Sequence, residues 1–128
     1  MSLTASQHAY LASQPLGRLA TVHPTTGMPQ NNPVAFTYNE ATGTIDIGGY
    51  AMGTTRKFAN VESTGKASLV VDDIASLDPW TVRGIEIRGT AEALRDIEPS
   101  TPYFSREIIR IHPTRVIAWG LNDPEPDA

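Results

Sequence analysis

The sequence predicts a mainly β domain whose strands close, or nearly close, into a barrel. Three observations lead there. Six or so stretches alternate polar and apolar residues with the two-residue period of a half-buried strand. Ten glycines and ten prolines spread along the chain favour short strands and turns over a helical bundle. Strand pieces also change phase and carry internal glycines, which favours strong curvature over a flat sandwich.

Thr4 opens the first element as a helix cap, with Gln7 placed to complete a capping box; the helix runs to about Ser13 and Pro15 ends it. Residues 17–23 alternate Arg18, Ala20 and Val22 against Leu19, Thr21 and His23, a strand. Pro24-Thr25-Thr26-Gly27 turns the chain, and residues 30–38 return as the second arm of a hairpin. Pro33 lies inside that arm and has no N–H for a ladder, so it marks an edge or a bulge, where backbone can face a ligand. After the turn at residues 39–43, Thr44-Ile45-Asp46-Ile47-Gly48 is a strand feeding a glycine-rich loop.

Residues 55–64 then read as a short helix, with Phe58 and Val61 on one face and Gly65 as the C-terminal stop. Residues 67–71 form a strand and 72–79 a polar loop. Residues 81–93 form a long strand, and Val82, out of phase with Ile85 and Ile87, suggests a bulge near Gly84. Residues 96–102 are a loop, and 107–112 and 115–119 are two strand pieces separated at Pro113. Residues 1–121 read as one domain, and 122–128 as an acidic, proline-rich tail expected to be disordered.

Composition removes several function classes. A chain of 128 residues makes one domain burying about two thirds of its unfolded surface. A net charge of -4 argues against sequence-independent nucleic-acid binding. The absence of cysteine excludes disulfides, iron–sulfur clusters and thiolate chemistry. No stretch suits a membrane span or a leader, so a cytoplasmic location is expected. His8, His23 and His112 show no metal-ligand spacing, and no metal is expected. There is no Gly-x-Ser-x-Gly elbow, and Asp72-Asp73 and Glu86/Glu92 read as solvated charges. No catalytic residue is assigned; an anion-anchored organic cofactor would supply the chemistry.

The anchor is the entrance of the second helix. Thr54 or Thr55 caps it, yet Arg56 and Lys57 follow, at the end where the helix dipole disfavours cations. A bound phosphate would reconcile them, since N–H groups, hydroxyls and cations converge there. The alternative is that both side chains point into water, at a cost of a few tenths of a kcal/mol. Gly48 and Gly53 have P-loop spacing, but Thr54 stands where a P-loop needs Lys, which argues against nucleotide hydrolysis.

Five segments together resemble the pyridoxamine-phosphate-oxidase-like split-barrel superfamily, and within it the deazaflavin-dependent reductases that use coenzyme F420. They are Leu16-Gly17-Arg18-Leu19-Ala20-Thr21, Asn32-Pro33-Val34-Ala35-Phe36, Thr55-Arg56-Lys57-Phe58-Ala59-Asn60, residues 83–91, and residues 111–120 from Ile111 to Gly120. The closing segment looks most like the subgroup containing the reductase that finishes tetracycline-type antibiotics. The resemblance implies a split β-barrel with a few short helices, forming a homodimer with two cofactor sites at the interface. It implies that Thr55, Arg56 and Lys57 grip the cofactor phosphate, with Thr54 as a further cofactor-binding residue. The backbone of Asn32, Pro33 and Val34 would face the ring, and Asn60 would support it. Trp119 would flank the cofactor or pack in the core or interface, while Tyr50 and Trp80 are candidates for the substrate side. The implied reaction is hydride transfer from reduced F420 to an electron-poor double bond of a small organic substrate. FMN in the same site, as in a flavin oxidase or reductase, is the alternative cofactor. A third possibility is a flavin- or haem-binding protein without turnover.

Overall fold

The expected strands close on themselves. In the computed structural model, which describes residues 2–121, six antiparallel strands form a closed barrel. They are β1 (Gly17–Val22), β2 (Pro29–Asn39), β3 (Thr44–Gly48), β4 (Lys66–Leu77), β5 (Trp80–Leu94) and β6 (Ile108–Trp119). Their order around the barrel is β1-β2-β3-β6-β5-β4. Helix α1 (Ala5–Ser13) precedes the barrel, and a 3-10 turn (Met52–Thr54) leads into α2 (Arg56–Thr64) between β3 and β4. The tail expected over 122–128 lies outside the described residues.

Alternation explains the core. Leu19, Ile45, Ile47, Leu69, Val71, Ile85, Ile87, Ile109 and Ile111 occupy every second strand position and are buried, joined by Met52, Phe58 and Val61 from the 3-10 turn and α2. Both helix boundaries follow local chemistry. Thr4 and Gln7 form the expected capping box, and Gly65 ends α2 in the left-handed region with φ 68°, where a side chain would be strained.

Two features shape the site. β2 pairs with β1 over residues 29–34 and with β3 only from Ala35 onward, so Pro33 lies where β2 has one neighbour. The edge reading of Pro33 therefore holds. β4 pairs with β1 only through Ser68, Leu69 and Val70, while β6 meets β5 only from Gly84. Residues 73–83 thus form a two-stranded arm beyond the barrel wall.

That arm corrects the sequence reading, which placed a loop at 72–79. The segment shows no buried-face alternation because, beyond its base at Asp73 and Arg83, the arm has no core to pack against. The bulge expected near Gly84 is also absent there. The register shifts between Ile74 and Ser76 on β4, and opposite Arg88 and Gly89, where β6 carries an extra residue at Thr114. Pro113 consequently does not divide β6; the bulge absorbs it and one strand continues to Trp119. Gly84 instead makes room for an indole: a Cβ there would stand 2.3 Å from Cζ2 of Trp119, its partner in the ladder.

Candidate cofactor site

The entrance to α2 is wired before any ligand arrives. Thr55 is the cap: its hydroxyl accepts from the Phe58 amide at 3.3 Å and donates to the Met52 carbonyl at 2.7 Å. The Thr54 hydroxyl donates to the Ala51 carbonyl at 3.0 Å. The loop amides are similarly engaged. Met52 N–H donates to Ser105 Oγ, Gly53 N–H to Glu107 Oε1, Thr54 N–H to the Ala51 carbonyl and Thr55 N–H to the Met52 carbonyl. The loop therefore does not offer the ring of open amides that its glycines suggest. The open backbone donors are the amides of Arg56 and Lys57, which the first turn of a helix leaves without intrahelical partners.

Neither cation at this end makes an ion pair among the described residues, although the Glu107 carboxylate lies nearby at Gly53. Arg18, Arg83, Arg88, Arg95, Arg106 and Arg110 make ion pairs, whereas Arg56 and Lys57, like Lys66 and Arg115 elsewhere, make none among the described residues. Two cations and two amides at a positive helix end fit an anion of phosphate type. The fit is a property of side chains already oriented. Arg56 Nε donates to Asn60 Oδ1 at 2.9 Å, one helical turn on. Lys57 is half-buried, not fully exposed as a solvated lysine would be.

Asn60 extends this order to the sheet. It is completely buried, and its Nδ2 donates to Thr21 Oγ1 at 3.1 Å and to Gln30 Oε1 at 3.2 Å. Gln30 Nε2 in turn donates to Asn32 Oδ1 at 2.8 Å. A continuous polar path thus runs from Arg56 through Asn60 and Gln30 to Asn32. It joins the helix entrance to the free-edged half of β2. The side chain of Val34 is in the core, so only its backbone could meet a ligand beside the exposed Pro33.

Sequence reasoning missed Thr21 and Gln30. Thr21 did carry a signal, because it shares the inward phase of Leu19, where a hydroxyl needs a partner. Gln30 carried none. The side chains of the remaining candidates are not hydrogen-bonded to this path among the described residues. Tyr50 is exposed in the loop before the 3-10 turn, and Trp80 is exposed at the tip of the arm. Trp119 lies against Gly84, whereas the end of α2 meets β5 at Ala91, where Ala91 N–H donates to the Gly65 carbonyl at 2.9 Å. Seven strand positions separate Gly84 from Ala91, roughly 23 Å. An open, largely apolar groove of about 400 Å³ borders Thr21 on the barrel wall, lined in part by Ala20, Val22, Pro29 and Lys66.

A family model for pyridoxamine 5'-phosphate oxidase matches residues 3–120. The chain belongs to this family. It is also 44% identical over 122 residues to a 5a,11a-dehydrotetracycline/5a,11a-dehydrooxytetracycline reductase of Streptomyces rimosus, covering 94% of this chain and 85% of the relative. Among solved structures, a conserved hypothetical protein of Mycobacterium tuberculosis aligns with a TM-score of 0.72 at 18% identity, over 100% of this chain and 93% of that one. An FAD binding protein of Mycobacterium smegmatis aligns with a TM-score of 0.64 at 18% identity, over 89% and 93%. These structural likenesses establish the split-barrel fold of the family. No helix among the described residues is long and apolar enough to cross a membrane.

Proposed function

We propose that this member of the pyridoxamine 5'-phosphate oxidase family is a reductase that holds a phosphate-bearing flavin-type cofactor, preferentially coenzyme F420, and acts on an electron-poor double bond of a small organic substrate. The observation that carries the reading is the hydrogen-bonded path from Arg56 to Asn32. It links a cationic helix entrance to the strand edge where a ring could lie. The reductase activity named for the Streptomyces relative supports the reaction class, and the dehydrotetracyclines in its name suggest an unsaturated, polycyclic kind of substrate.

When bound, a reduced deazaflavin supplies a hydride. The chain's residues provide position and charge. Arg56, Lys57 and their amides neutralise the phosphate, and Asn60 fixes the guanidinium. A planar ring would lie against the free edge of β2 at Asn32 and Pro33. No side chain is assigned as the proton donor, which leaves solvent or a weak acid for that role. The site is completed in a homodimer, as the resemblance to the split-barrel reductases implies.

F420 continues from its phosphodiester into an anionic polyglutamate tail, while FMN ends in a phosphate. Exposed Arg56 beside the exposed Ala51 and Thr54 leaves an open route for such a tail, on the side away from the Glu107 carboxylate at Gly53. Competitive titration should therefore favour F420 by at least about tenfold, or 1.4 kcal/mol. Raising the ionic strength should erode F420 affinity more steeply, because its tail contacts are screened. FMN binding equally well at low salt would transfer the assignment to an FMN enzyme. Saturable binding of both without turnover of any quinone or enone would leave a binding protein.

A further inference from the structure

The arm formed by residues 73–83 has a stiff base and an unpartnered tip. At the base, Arg83 Nε and Nη2 donate to the two oxygens of Asp73 at 3.0 and 2.6 Å. Tyr10, on α1, donates its hydroxyl to Asp73 at 2.8 Å and lies 5.1 Å beneath the Arg83 guanidinium. Such a base holds the arm at a fixed angle to the barrel. The tip, by contrast, carries apolar groups into water: Leu77 and Trp80 are cross-strand partners exposed by 73% and 65%, and Ile74 is exposed by 48%. A two-stranded ribbon is marginal alone, and side chains of this size in water favour a partner.

The same chain carries a matching surface. The groove beside Thr21 is apolar along Ala20, Val22, Pro29 and Ala67, and its volume of about 400 Å³ would admit an indole and a leucine side chain. Its rim holds Lys66, an exposed ammonium without an ion pair among the described residues. The arm tip holds Asp78, an exposed carboxylate between Leu77 and Trp80, equally without an ion pair. Tip and groove thus agree in polarity, size and charge.

We propose that the Leu77–Trp80 tip of each protomer seats in the Val22–Pro29 groove of a second copy, with Asp78 against Lys66 of that copy. Reciprocal seating is a two-fold, self-complementary interface that closes at two chains. The inference rests on the dimer reading above and adds to it. It places Trp80 of one chain on the outer wall of the other chain's barrel, over the β1 backbone at Thr21, whose side chain faces inward.

Sedimentation of the full chain tests this. The wild type should run at twice its 13.8 kDa chain mass. Trp80→Glu and, separately, Val22→Glu should each raise the dimer dissociation constant at least about tenfold, with unchanged circular dichroism since both side chains are exposed. Asp78→Lys and Lys66→Asp should each weaken the dimer, and their combination should restore it. Because the chain has no cysteine, a Val22→Cys/Leu77→Cys variant should form a covalent dimer on oxidation. A monomeric wild type would overturn the dimer reading and this inference together. A dimer indifferent to all these substitutions, and not cross-linked through the introduced cysteines, would overturn the seating while the dimer stands.

Discussion

Asn60 stands between Arg56 and Thr21, accepting from one at 2.9 Å and donating to the other at 3.1 Å, with no surface of its own exposed. One buried amide therefore serves two purposes, satisfying a hydroxyl inside the barrel and aiming a guanidinium outside it. Asn60→Ala should destabilise the fold by about 1–3 kcal/mol, the cost of leaving buried polar groups unpaired. Adding Thr21→Val should recover part of that stability without recovering cofactor affinity. Chemical denaturation and cofactor titration on both variants would separate the roles; affinity returning together with stability would reduce Asn60 to a core residue.

Lys57→Ala should weaken cofactor binding by about 1.5–3 kcal/mol, the loss expected for a charge-assisted hydrogen bond to phosphate. Stability should change little, because Lys57 has no ion pair among the described residues to lose. Isothermal titration beside thermal melting checks both halves. Unchanged affinity would place the phosphate elsewhere.

Asp46 is an acid-sensitive point of the barrel wall. Burial alone would raise its pKa, but hydrogen bonds from Arg110, Asn39 and Thr44, with the charge of Arg110, outweigh burial and lower it from 3.8. The Arg110 contacts are 2.9 and 3.1 Å, to its two oxygens. A carboxyl whose folded pKa lies below its unfolded value contributes stability above roughly pH 4 and loses it as the pH falls through the lowered value. Asp46→Asn should therefore cost about 1.5–3 kcal/mol at neutral pH and much less near pH 2. Denaturation curves at the two pH values should converge; parallel curves would remove Asp46 from the acid response.

Gly84 and Trp119 test the other end of the barrel. Gly84→Ala would place a methyl 2.3 Å from the indole, so Trp119 must shift or the two strands must separate. A cost of about 1–3 kcal/mol is expected from overpacking, with an altered Trp119 emission measured in a Trp80→Phe background. A spectrum and stability matching the wild type would mean that the indole does not occupy this slot.

The strand periodicities, Thr4, Thr55 and Gly65 at the helix ends, and the cation pair at residues 56–57 were legible in the sequence because each depends on neighbours within a few residues. A cap needs an amide three positions on, and a strand shows its buried face in every second residue. The barrel itself could be inferred from strand number and curvature, although its order β1-β2-β3-β6-β5-β4 could not. Tertiary structure alone decided what depends on residues far apart in the chain. The arm at 73–83 is a strand pair because the two strands hydrogen-bond each other, whatever the polarity of their faces. The bulge lies at Thr114 rather than Gly84 because two long strands must keep register around a curve. Above all, Asn60 meets Thr21 and Gln30 across 39 and 30 residues of sequence, which no local pattern encodes. The sequence marked a helix entrance carrying two cations; tertiary packing alone tied that entrance, through Asn60, to β1 and β2.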